Sequence, residues 1–71
     1  MEKLIELVAE VLNLDKESIS LETSRENTSA WDSLNHIRLV AEVEERFNIK
    51  IPFEKVPYIK KVGDFLEYIR E

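Results

Sequence analysis

Residues 31–47 read WDSLNHIRLVAEVEERF. Asp32 or Ser33 can cap a helix here, because a short side-chain oxygen reaches the free amides of a first turn. From residue 33 onward the apolar positions recur at about 100° per residue, the helical value. The spacing predicts a helix over 33–47. Its apolar residues divide into two neighbouring arcs. Leu39, Val40, Val43 and Phe47 make one, and Leu34, Ile37 and Ala41 make the other at its edge. A helix in a small bundle needs one such stripe for the core. The second arc is spare: either it faces a partner or flanking segments bury it.

Working outward, residues 2–12 predict another helix. Leu4, Ile5, Val8, Val11 and Leu12 recur at helical spacing and Leu7 widens the stripe. Asn13 is a suitable stop, since Asn tolerates the left-handed conformation that ends many helices. Residues 14–31 form a long polar loop with a short helical turn near 15–18 and apolar anchors at Leu14, Ile19, Leu21 and Trp31. Loops of this length in small domains are often functional. Residues 48–52 break the second helix, with Ile49 and Ile51 alternating about Lys50 before Pro52. One helical turn is expected over 53–58, ended by Pro57. A last helix is expected over 61–70, with Val62, Phe65, Leu66 and Ile69 inward. The pattern is an all-α bundle.

A chain of 71 residues is expected to form one domain, residues 1–71. Its 44% hydrophobic content is enough for a globule and too much for a disordered tail. Without cysteine it offers no disulfide, thiolate nucleophile or zinc-thiolate site. The net charge of −5 argues against nucleic acid and anionic membranes, and suits solubility or basic partner surfaces. No apolar run is long enough to span a bilayer, and the first residues lack the layout of a signal peptide. A cytoplasmic monomer without membrane insertion is expected.

Ser33 lies at the junction of the long loop and a helix start. That place offers unpaired amides and a partial positive charge, which suit a phosphate. Ser33 is sited to carry a phosphodiester, or Asp32 and Ser33 simply cap the helix. His36, the only histidine, is three residues on. As a dyad, Ser33 and His36 would suggest a small hydrolase, but no oxyanion site is visible. The helical wheel puts His36 toward the core as a packed or capping residue. Glu42 pairs with Arg38 and Arg46 at i,i+4 spacing, consistent with a solvated face. No calcium-loop spacing or glycine-rich phosphate loop is present, and Gly63 is the only glycine.

These residues resemble the acyl carrier protein family over nearly the whole chain. The centre of the likeness is Asp32-Ser33-Leu34, which matches the family's attachment tripeptide. It continues through 37–47, with its Glu44-Glu45 pair and Phe47, into Ile49-Lys50-Ile51-Pro52, and ends in Val62, Phe65 and Leu66. The resemblance implies a four-helix bundle of acyl-carrier type, with a long first loop and a short third helix near 54–58. It implies a carrier rather than an enzyme. A phosphopantetheinyl transferase, with Mg2+ bound in its complex, would move 4′-phosphopantetheine from coenzyme A onto Ser33, flanked by Asp32 and Leu34. Acyl-loading and acyl-processing enzymes would dock on Leu34, Ile37, Arg38, Ala41, Glu44 and Glu45. The family often has Gly two residues before the Asp, where Ala30 stands here. Asn35 and Arg38 replace acids that are common early in the second helix. The docking face is thus less acidic than in fatty-acid-synthesis carriers, and fits fatty acid, polyketide or another dedicated biosynthesis. The alternative is an unmodified interaction module of the same fold, in which Ser33 only caps.

Overall fold

The computed structural model describes residues 2–69. The described residues form two α-helices, α1 (Glu2–Leu12) and α2 (Ser33–Phe47), with one 3₁₀ segment between them, Lys16–Ser18, and two after them, Phe53–Tyr58 and Val62–Glu67. Among the described residues there is no strand, only an isolated antiparallel bridge between Ser24 and Lys61. The architecture is all-α, as expected.

On α1 the buried stripe is Leu4, Leu7, Val8, Ala9 and Leu12, with Ile5 and Val11 at its flanks. The stripe is therefore centred one position further round than the Leu4-Ile5-Val8 spacing suggests. Asn13 ends the helix with φ 59°. Asn13 N–H donates to Glu10 O and Leu14 N–H to Ala9 O, which satisfies two final carbonyls. Leu14, expected as an anchor, is exposed. Its backbone, not its side chain, serves the fold.

Helix α2 packs on α1 through Leu39, Val40 and Val43. Asn48 ends it with φ 55°. Glu44 then acts twice: its carbonyl accepts from Ile49 N–H at 3.1 Å, and its Oε2 accepts from Ile51 N–H at 2.8 Å. The chain is thereby turned so that Ile51 enters the core. On the surface, Arg46 joins Glu10 of α1 at 2.8 Å and Glu42 at 3.3 Å. The hydrogen bond that Arg46 donates to Glu10 is the main reason that it holds its proton above its ordinary range. Arg38 turns to Asn35 Oδ1 instead of Glu42, so the expected Arg38–Glu42 pair is absent among the described residues.

Two expectations about the later helices are corrected. The turn over 53–58 runs through Pro57 rather than ending at it. A 3₁₀ turn tolerates Pro57 because the missing N–H removes a single short-range bond. The last helix, expected over 61–70, is a 3₁₀ segment over Val62–Glu67, and residue 70 lies outside the described residues. Its first amides, which no carbonyl within a helix reaches, are bonded by other partners. Val62 N–H donates to Thr23 O and Gly63 N–H to Leu21 O, while Asp64 Oδ2 takes the amides of Lys60 and Lys61. Three residues per turn align Val62 with Phe65, and both are fully buried.

Those bonds also order the long loop. Residues 21–25 run antiparallel to 60–63, closed by Arg25 N–H to Lys60 O at 2.8 Å. Gly63 permits the approach, since a Cβ there would lie 3.2 Å from Leu21 O. Ser20, Thr23 and Ser24 side chains bind nearby loop amides. Trp31, 2% exposed, pins the loop's end in the core.

Trp31 Nε1–H donates to His36 Nδ1 at 3.0 Å, and the two rings stack with centroids 6.1 Å apart. An indole only donates, so Nδ1 is the acceptor and Nε2 carries the proton. Nε2–H then donates to Val56 O at 2.9 Å. Trp31→Phe keeps an aromatic ring but leaves Nδ1 buried without a donor, which alone costs about 1–3 kcal/mol, with the loss of buried indole volume added to it. Urea unfolding followed by circular dichroism measures this, since Trp31 is the only tryptophan. An unchanged midpoint would remove this bond from the account of stability.

Candidate functional site

Asp32 has extended backbone, φ −90° and ψ −174°, and its Oδ1 accepts from Asn35 N–H at 2.9 Å. Asp32 is therefore the cap, and the Ser33 hydroxyl is not needed for capping. Ser33 is the first residue of α2 and is exposed. Its Oγ accepts from Arg25 Nη2 at 3.4 Å, across eight residues. Asn35, a departure from the acidic pattern, staples the junction. Its amide donates to Ala30 O at 2.8 Å while its oxygen accepts from Arg38. The Ala30–Trp31 turn is thus fastened to the first turn of α2.

His36 does not serve Ser33. It is 3% exposed and both ring nitrogens are bonded elsewhere, to Trp31 and Val56. The side chain within hydrogen-bond reach of Ser33 is Arg25, a cation that cannot accept a proton. Among the described residues the arrangement holds no Ser–His dyad.

Two clefts open beside this hydroxyl. One, of about 280 Å³, has Ser33, His36 and Ile37 of α2 on one side and Phe53, Val56 and Pro57 on the other. A larger one of about 660 Å³ runs between Ser24–Glu26 and Lys60–Lys61, over Trp31. Arg25 lines both. The second arc of α2 is uncovered: Leu34 is 71% and Ile37 57% exposed, and Arg38, Ala41 and Glu45 are exposed beside them. Glu44 sits half-buried at the margin, its carboxylate engaged with Ile51. Sequence spacing gave no sign of Arg25, which reaches Ser33 only through the loop's fold. Phe53, 87% exposed, was within reach as an apolar residue unassigned to the core. Among the described residues no His, Asp or Glu cluster could hold a metal, and no helix is long and apolar enough to cross a membrane.

Residues 2–69 match the family model described as phosphopantetheine attachment site. The acyl carrier protein of Porphyromonas gingivalis is 36% identical over 69 residues, covering 97% of this chain and 88% of that protein. That of Azobacteroides pseudotrichonymphae is 38% identical over 69 residues, covering 96% and 81%. That of Phytoplasma mali is 34% identical over 70 residues, covering 99% and 83%. The chain therefore belongs to the acyl carrier proteins, a family of carriers, not enzymes, with a phosphopantetheine attachment site.

Proposed function

We propose that Ser33 is the attachment residue for 4′-phosphopantetheine. The observation that carries this is an exposed hydroxyl at the first turn of α2 whose neighbour is a cation and not a base. The residues present fit the group. The amides of Ser33 and Leu34 have no carbonyl partner within the helix, and a guanidinium stands beside Oγ. When bound, the arm supplies a thiol for acyl thioesters, which this cysteine-free chain lacks.

Ser33 Oγ forms the new oxygen–phosphorus bond. The phosphoanhydride bond of coenzyme A breaks, its nucleotide half leaves, and the serine proton passes to a base of the transferase. Mg2+ belongs to that transferase complex. Asp32 fixes the helix start that presents Oγ, and Leu34 projects beside it into solvent.

Leu34, Ile37 and Ala41, rimmed by Arg38 and Glu45, are the proposed docking surface for the transferase and for acyl-processing enzymes. Apolar area this exposed on a small domain has a use. Arg38 and Asn35 make this face suit enzymes of a dedicated biosynthetic pathway at least as well as those of fatty acid synthesis. The proposed setting is the cytoplasm.

Incubation with coenzyme A, Mg2+ and a broad-specificity phosphopantetheinyl transferase adds the mass of one arm to the wild type and nothing to Ser33→Ala, as read by intact mass. Modification of Ser33→Ala, or no modification by several transferases, would sink the assignment. Ile37→Glu raises that transferase's KM for the carrier about tenfold or more, as loss of a central apolar anchor does, with circular dichroism unchanged. An unchanged KM would take this arc out of the docking surface.

A further inference from the structure

We propose that Arg25 is a phosphate clamp: its guanidinium holds the phosphodiester that joins the arm to Ser33, an assignment that rests on Ser33 being the attachment residue. Arg25 Nη2 already lies 3.4 Å from Ser33 Oγ. In the modified carrier that oxygen bridges to phosphorus, so the two non-bridging oxygens, which share one negative charge, fall within reach of the same guanidinium. Arg offers five N–H donors in a fixed fork that matches phosphate. Among the described residues its side chain makes one hydrogen bond, to Ser33, and no ion pair.

The cation is placed by the backbone. Arg25 N–H is bonded to Lys60 O, next to the Ser24–Lys61 bridge, and the residue is half-buried. Competing charges are partly engaged elsewhere: Asp32 Oδ1 accepts from Asn35 N–H, and Lys61 lies 3.5 Å from Glu22. Arg25 also forms the shared wall of the two clefts. A clamped phosphodiester would therefore start the arm at the point where both diverge, restricting the directions in which it leaves the body.

The test uses the carrier loaded by coenzyme A and a transferase, with loading checked first by intact mass. Absence of loading overturns Ser33 and the clamp together. In the loaded wild type the Arg25 Nε–H resonance shifts relative to the unloaded protein. The phosphorus resonance of the arm shifts and narrows in Arg25→Gln and is partly restored in Arg25→Lys. Added salt moves the wild-type phosphorus signal toward that of Arg25→Gln, because an accessible ion pair is screened. Loaded wild type whose Arg25 resonance matches the unloaded protein would overturn the clamp and leave Ser33 in place. That comparison needs no variant, so it decides the matter even if Arg25→Gln folds poorly.

Discussion

The imidazole of His36 has no spare nitrogen. One accepts the Trp31 N–H and the other donates to the Val56 carbonyl. Three segments that are distant along the chain therefore meet on one buried ring: the end of the long loop, the first turns of α2, and the 3₁₀ segment Phe53–Tyr58. A domain of this size has few buried contacts with which to fix a geometry. A ring satisfied on both sides is directional in a way that apolar packing is not, since a small displacement leaves a buried polar group unpaired. It keeps Val56 and Pro57 opposite Ile37, and so defines the cleft beside Ser33.

The long loop owes its order to polar groups as much as to its apolar anchors. Its serines and threonines bind its own amides, and residues 21–25 complete their bonding against 60–63. The single glycine lies at that seam, where a side chain would crowd Leu21 O. Composition that resembles a mobile linker thus encodes a fixed wall, from which Arg25 reaches the serine.

Local signals in the sequence were sufficient for α1, α2, the Asn13 stop, the break at 48–52 and the two arcs of α2, because periodicity and capping are properties of neighbouring residues. Asp32-Ser33-Leu34 and the segment after it were enough to identify the family. The burial of His36 was also legible from the helical wheel, although its partners were not. Three features stayed hidden for one reason: each depends on a contact between distant residues. Val62–Glu67 is fastened at its start to the loop, which accepts the amides of Val62 and Gly63. Glu44 was grouped with Glu45 by sequence, yet its carboxylate turns back to Ile51. Arg25 stands in a stretch without periodicity, so nothing local tied it to Ser33.

The seam between residues 21–25 and 60–63 has a consequence for the order of events during synthesis. α1, the loop and α2 are synthesised before residues 60–63 exist, so for that interval Arg25 lacks the backbone partner that places it. The helix start that carries the serine is a local structure, whereas its charged neighbour is placed only when the late segment closes back over about half the chain. Contacts of such long sequence separation form slowly relative to helices. In a folding chain the helix start that holds the Ser33 hydroxyl thus precedes the finished wall beside it.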